Sequence, residues 1–365
     1  MIEQATFRPY RLELRGDWTG RGAGSWREGW IVALKSGECR GFGDCAPLPA
    51  AGTEQPEEVA AVLGAVIDAI RGRTAGRCSD LIQTLTGTPA LRCGLETGLL
   101  DLIGRCTNQP VYRLLGAAAP PVVHVNALIG MLDAGAVQRA TRAQAQGYRV
   151  LKIKMGALPP DLEIRRLRNL SARLPAGISL RLDANRAWNL PTIRYMFEAL
   201  RNLPVESIEE PLHFPSPGRI SRLQRTSPWP VALDESLARG GAGEYLSRPT
   251  VARVVLKPMV LGGPVAAMAL ARRARQQGMR AVVTTTLDSA VGRFAALHLA
   301  AAVDSGLAHG LATGGWLRTD LATGPSTRFG RMPLSSVPGL GIEMRDPGGW
   351  DRPAFFAGTP TREIQ

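Results

Sequence analysis

From Pro120 onward the chain alternates short apolar β-type runs with amphipathic helical stretches, about eight times over. The strand candidates are VVHVNALI, RVLKIKM, ISLRLDA, ESIEE, VALDE, ARVVLKP, AVVTTT and a weak eighth at GLATG. Between them lie helix candidates such as AGAVQRATRAQAQG, DLEIRRLRNLSARL, LPTIRYMFEALRNL, PVAAMALARRARQQG and AVGRFAALHLAAAVDSG. Parallel strands need a long, usually helical, crossover between them. A chain that repeats strand and helix this often therefore predicts an α/β fold closed as a parallel (β/α) barrel. At 365 residues there is length for a whole barrel and a smaller second domain.

The first stretch has a different grammar. FRPYRLEL and GWIVALKSG read as strands of a meander. The Gly- and Pro-rich GFGDCAPLPAAGTEQP reads as a turn. Residues 57–73 and 89–105 carry apolar side chains at helical spacing, with Pro89 suited to a first helical turn. The expected division is an α+β domain over residues 1–117 and a barrel over 118–317. Residues 318–365 are irregular and expected to pack back on the first domain. The loops at 15–28 and 48–54 are expected to close over the barrel mouth.

Composition narrows the partners. A formal charge of +13 raises nucleic acid as a ligand. The arginines are dispersed, however, and aromatics are only 5%, few for base-stacking platforms. A small carboxylate substrate suits a basic protein equally well, and no nucleic-acid partner is expected. No apolar run reaches the roughly 20 residues of a membrane span, and the N-terminus lacks a signal-peptide shape. No membrane association and a cytoplasmic location are expected; nothing indicates an oligomeric state. The five cysteines form no CxxC pair and suggest neither a disulfide framework nor a zinc site. The four histidines share no helical metal-ligand spacing.

Lysine usage points to chemistry. The chain has 44 Lys plus Arg, of which only Lys35, Lys152, Lys154 and Lys257 are Lys. Arg is effectively never deprotonated, whereas Lys can be tuned to act as a base. In a β/α barrel, reactive groups sit at the C-terminal ends of the strands. Those ends read Lys152 and Lys154 (KIK), Asp183 (RLDAN), Glu209 and Glu210 (IEEP), Asp234 and Glu235 (LDES), and Lys257 (LKP). The steps from 154 to 183, 209, 234 and 257 are 29, 26, 25 and 23 residues, each about one β/α unit. Alternation puts Lys152 and Lys154 on one strand face, with Lys257 facing them from four strands further round. Clustered carboxylates oppose burial unless a cation neutralises them, and hard oxygen ligands suit Mg²⁺, with Mn²⁺ as a stand-in. Such a cation could also lower a lysine pKa toward the range of a base. A ring of barrel-stabilising salt bridges is the competing reading. Arg181, two before Asp183, is expected to face inward as a charge partner, and an inner salt bridge is its alternative.

The order KxK, Asp, Glu, Asp, Lys on successive strands resembles the enolase superfamily, in its muconate-lactonizing subgroup. RLDANRAW, EEP, DES and LKP, together with GFGDCAPLP and PALRCGLETGLLDLIGR, are similar to the o-succinylbenzoate synthases. The resemblance spans most of the chain. It implies an enolase-type modified TIM barrel with an N-terminal α+β capping domain. It further implies Asp183, Glu209 and Asp234 as Mg²⁺ ligands, the first Glu of EEP being preferred. Glu210, Glu235 and Asn185 would stand behind the ligands. Lys154 would be the base, Lys152 would support the substrate's developing negative charge, and Lys257 would make a cation–π contact on the other face. Thr284 and Thr285 would lie near a succinyl arm, with a β-branched strand core as the alternative. Gly262 and Gly263 would let backbone approach the ligand, with a plain turn as the alternative.

The implied activity is a lyase. It dehydrates 2-succinyl-6-hydroxy-2,4-cyclohexadiene-1-carboxylate to o-succinylbenzoate, in menaquinone or phylloquinone synthesis. Dipeptide epimerases of the subgroup carry a DxD motif at the eighth strand. This chain has LATGGWLRTDL there, with no acid at the matching spot. An N-succinylamino acid racemase or a muconate cycloisomerase-like enzyme is the second reading, since a racemase needs a base on each face. A basic binding protein on a barrel scaffold is the non-enzyme reading.

Overall fold

The computed structural model describes residues 1–16, 24–118, 122–238, 241–324, 326–334 and 336–346. Three N-terminal strands, β1 (Gln4–Glu13), β2 (Trp26–Ser36) and β3 (Cys39–Cys45), pair antiparallel in that order. The β2–β3 hairpin turns on Gly37 and Glu38, and Gly37 takes the positive φ of 56° that such a tight turn requires. β3 corrects the sequence reading, which assigned GFGDC to a turn. Its glycines serve close packing instead. A Cβ on Gly43 would lie within bonding distance of Gly94 O, and one on Gly41 would lie 2.3 Å from Gly98 O. The sheet thus closes directly onto the backbone of a helix.

That helix is α3 (Pro89–Cys106), preceded by α1 (Pro56–Ile70) and α2 (Ala75–Thr84). α1 starts at Pro56 with a capping box between Gln55 and Glu58. α2 was not expected from the sequence. A short α4 (Val111–Leu114) leads toward the barrel. Of the loops expected over the barrel mouth, residues 17–23 lie outside the described residues.

The expected first barrel strand splits. β4 (Val122–His124) pairs antiparallel with Arg331–Pro333, and only β5 (Ala127–Met131) enters the barrel. The sheet continues through β6 (Val150–Lys154), β7 (Ser179–Asp183), β8 (Val205–Glu209), β9 (Val231–Leu233), β10 (Arg253–Leu256) and β11 (Arg280–Val283), all parallel and in sequential order. The crossovers carry α5 (Ala136–Ala145), α6 (Pro160–Ser171), α7 (Leu190–Leu200), α8 (Pro217–Thr226), α9 (Ala242–Tyr245), α10 (Pro258–Leu261) and α11 (Pro264–Gln276). α12 (Ala290–Val303) follows β11. Buried aliphatic residues from the strands and the helices around them make one continuous core.

The eighth strand is reduced to two bridge residues. His309 bridges to Val125 and Gly310 to Thr284, so the ring closes through His309–Gly310. The reason is local. The His309 imidazole accepts from Val283 N, and Gly310 leaves no room for a Cβ beside Thr284 Oγ1. Register then sets the site: Lys154, Asp183 and Glu209 stand in one row across β6, β7 and β8.

A buried polar seam joins the two layers. Asp44 at the end of β3 accepts from Tyr10 Oη and from Ser289 N and Oγ at the start of α12. Burial and the nearby Asp288 push Asp44 up to about 6. Arg27 donates to the carbonyls of Ala46, Pro47 and Thr286, tying the loop after β3 to the end of the β11 segment. In the C-terminal segment, Arg318 N donates to Glu13 O and Leu340 N to Asp101 Oδ1, while Met332 joins the barrel core. No helix among the described residues is long and apolar enough to cross a membrane.

Candidate active site

Strand alternation delivers the lysines together. Lys152 and Lys154 both face inward, and each ammonium reaches Asp183 Oδ2, at 2.9 and 2.7 Å. Lys152 Nζ also donates to both oxygens of Glu209, at 2.7 and 2.8 Å. Lys154 Nζ donates to Asn185 Oδ1 at 2.9 Å. From the far side, Lys257 Nζ donates to Asp234 Oδ2 at 2.5 Å. Asp183, Glu209 and Asp234 are all buried.

Behind these groups a second row holds the loops. Glu210 is fully buried and accepts from Asp234 N (2.9 Å), Ser236 N (2.7 Å), Ser236 Oγ (3.0 Å) and Arg186 Nε (3.2 Å). Asn185 Nδ2 donates to Glu235 Oε1 at 2.7 Å, while Glu235 Oε2 is buried without a partner. Seven described non-glycine residues have positive φ, and Asn185, Arg186, Glu210 and Leu287 at the barrel mouth are four of them. Each such conformation costs about 1–2 kcal/mol, so backbone strain is concentrated here.

Burial and charge set the protonation pattern. Burial alone would raise Asp183, but the Lys152 and Lys154 ammoniums outweigh it and hold its carboxyl well below the usual range. Glu209 is pushed up to about 8 by burial and the Asp183 charge, against the pull of Lys152. Burial works against the charged form of Lys152, but Asp183, Glu209 and Asp234 win and raise it. Lys257 is raised likewise by Asp234 and Glu235 against burial. The ammoniums themselves occupy the carboxylate lone pairs that a cation would take.

The donor set fits a hard divalent cation: three carboxylates on adjacent strands, with an orphaned Glu235 oxygen behind them. Among the described residues they are not gathered into a three-ligand cluster, because Lys152 lies between Asp183 and Glu209. A cavity above them is lined by Lys152, Lys154, Lys257, Thr284, Thr285 and, from the loop after β3, Leu48 and Ala51. Thr284 Oγ1 is spent on Gly310 O, and Thr285 Oγ1 pairs with Thr313 Oγ1 at 2.8 Å.

Two expected contributors stand elsewhere. Arg181 does face inward, but it takes the inner salt-bridge role below the carboxylates. Its Nε donates to Glu206 Oε1, which also receives Arg253 Nη1 at 2.9 Å, and its Nη1 donates to Ala308 O. It does not line the cavity. Gly262 ends α10 at φ 90° and faces the Arg92 guanidinium of α3, outside the residues that line the cavity. The sequence reading missed Asn126 and Thr313, which line the cavity, and Glu206, which a register shift in β8 accompanies. Only the unremarked Glu in ESIEE signalled the last.

Residues 135–347 match the family described as Enolase C-terminal domain-like. The chain is 31% identical to chloromuconate cycloisomerase of Cupriavidus pinatubonensis (strain JMP 134 / LMG 1197) over 265 residues, 71% of each chain. It is 31% identical to o-succinylbenzoate synthase of Desulfotalea psychrophila (strain LSv54 / DSM 12343) over 231 residues, 62% of each chain. Among solved structures, dipeptide epimerase from Enterococcus faecalis V583, complexed with Mg and the dipeptide L-Leu-L-Tyr, superposes with a TM-score of 0.86. That match has 23% identity and covers 94% of this chain and 99% of the other.

Proposed function

Because the chain belongs to the enolase superfamily, we propose that it removes a proton α to a substrate carboxylate, and that its reaction is the synthesis of o-succinylbenzoate by dehydration. One observation carries the reading. Three of the chain's four lysines line one cavity, and between them they are ion-paired to Asp183, Glu209 and Asp234.

Asp183, Glu209 and Asp234 would hold Mg²⁺. The cation would supply fixed positive charge against the negative charge developing on the substrate carboxylate. Lys154, as the neutral amine, takes the ring proton α to the carboxylate at its Nζ. Lys152 offers an N–H to the same carboxylate side. The C–H electrons form the new ring double bond as the neighbouring C–O bond breaks. The Lys154 ammonium returns its proton to the leaving hydroxide, which departs as water. Lys257 lies on the opposite face, where its charge can sit against the ring. Aromatisation drives the elimination, so positioning suffices.

The cavity wall argues against a cationic distal group. Ala312 and Thr313 line it from the eighth-strand position, and Asp320 is engaged outside it by Arg293 and Ala290 N. A substrate ammonium would find no carboxylate there among the described residues. The placement of Lys154 and Lys257 on opposite sides favours one second reading, racemisation of N-succinylamino acids.

The test is an assay with the cyclohexadiene carboxylate, with Mg²⁺ and with excess EDTA, following aromatic product by ultraviolet absorbance. Metal-dependent dehydration supports the proposal. No dehydration by metal-loaded protein, with α-deuterium exchange on N-succinylamino acids, would replace it by the racemase.

A further inference from the structure

The thiols of Cys39 and Cys106 have no part in the proposed reaction, and 67 positions separate them in the chain. The fold brings them together. Residues 39, 41 and 43 share one face of β3, and that face rides along α3. A Cβ on Gly43 would meet Gly94 O and Gly98 N; one on Gly41 would meet Gly98 O and Leu102 N. Two strand residues advance about 6.6 Å and four helical residues about 6.0 Å. Each step of two on β3 therefore matches a step of four on α3, in opposite chain directions. The next step carries Cys39 onto the turn that ends at Cys106.

Both thiols are free; Cys39 is half-buried and Cys106 is exposed. Cys39 packs at the edge of the core that α3 shares with the N-terminal sheet. Burial and the neighbouring Cys39 thiol push Cys106 up to about 11. Cys45, Cys78 and Cys93 are buried.

We propose that Cys39 and Cys106 form a two-electron redox site that closes to an intramolecular disulfide, stapling the start of β3 to the end of α3. With hydrogen peroxide as oxidant, one thiolate attacks the O–O bond. It becomes a sulfenic acid while the other oxygen leaves as hydroxide and is protonated to water. The second thiol attacks that sulfur, the S–S bond forms, and a second water leaves. Two thiols lose two electrons and two protons, and the peroxide takes up both. The staple lies away from the cavity and acts on the stability of the N-terminal domain. Because the thiolate is the nucleophile, closure accelerates as pH rises.

The experiment treats the purified chain with hydrogen peroxide at mildly alkaline pH, then reads intact mass, thiol count in denaturant and non-reducing peptide maps. The expected result is a loss of about 2 Da and a peptide joining residue 39 to residue 106, both reversed by dithiothreitol. Titratable thiols fall from five to three. The thermal midpoint of the oxidised protein rises by several degrees, and Cys39→Ser and Cys106→Ser variants show neither change. Retention of five thiols, added oxygen in place of lost mass, or a link from Cys45 to Cys93 would overturn the site. An unchanged midpoint in the cross-linked protein would overturn the staple.

Discussion

Glu210→Gln separates positioning a metal ligand from being one. Glu210 is fully buried (0% exposed), and one of its oxygens accepts from the backbone of both Asp234 and Ser236. The other accepts from Ser236 Oγ and Arg186 Nε. Gln keeps the size and one acceptor oxygen. With that oxygen on the two backbone amides, the new NH₂ faces a hydroxyl and a guanidinium. The hydroxyl can rotate and accept; the guanidinium cannot. A hydrogen bond to a charged group contributes about 1.5–3 kcal/mol. The Arg186 side chain is 34% exposed, so water recovers part of it. A net destabilisation of about 1–2 kcal/mol follows. Asp234 keeps its carboxylate but loses the charge that anchors its backbone, and weakened support of this kind typically lowers metal affinity about 10–100-fold. The assay is a Mg²⁺ titration of turnover beside Mn²⁺ binding by calorimetry and a urea melt, with Asp234→Asn as the variant that removes the proposed ligand itself. At saturating metal the Gln variant should turn over within a few-fold of the parent. If it binds metal as tightly as the parent while Asp234→Asn does not, Glu210 does not position Asp234.

Lys154→Ala should lower turnover ~1,000-fold, the weight of a lost general base, while metal binding and thermal midpoint stay within error. Near-normal turnover would remove Lys154 as the base. Gly43→Ala should destabilise the fold by about 3 kcal/mol in urea, because its Cβ would collide with Gly94 O. A loss below about 1 kcal/mol would show that β3 and α3 can part cheaply. His298 Nδ1 accepts from Tyr112 N and His309 Nδ1 from Val283 N, and burial lowers them to about 4 and about 3. Their stabilisation is full above the unfolded value of about 6.5 and is lost as pH falls toward those folded values. Their ring NMR signals should therefore not titrate between pH 8 and 5, and a midpoint near 6.5 for either ring would refute the neutral, buried state.

The barrel and most of its rim were legible in the chain. A side chain at a strand end recurs once per β/α unit, so Lys154, Asp183, the Glu209–Glu210 pair, the Asp234–Glu235 pair and Lys257 stand out by spacing, and the resemblance to the enolase superfamily singled out Glu209 and Asp234. Strand alternation likewise put Lys152 beside Lys154. These are local periodicities, and local periodicity is what a sequence carries directly. The rest depended on contacts between distant segments. Gly41 and Gly43 look the same in a turn as in a strand pressed against a helix, and only α3, some 50 residues later, decides between them. Arg181 finds Glu206 and Arg253 where a register shift interrupts the β7–β8 ladder, and no pattern in ESIEE announces that shift. The eighth strand shrinks to His309 and Gly310, whose fit depends on Val283 N meeting the His309 imidazole and on Thr284 Oγ1 filling the space beside Gly310, contacts made only once β11 is in place. Glu210 reads as one more strand-end acid. Its role as the anchor of the Asp234 loop exists only once β8 and β9 are side by side, since a hydrogen bond is fixed by the position of both partners and a sequence places only one at a time.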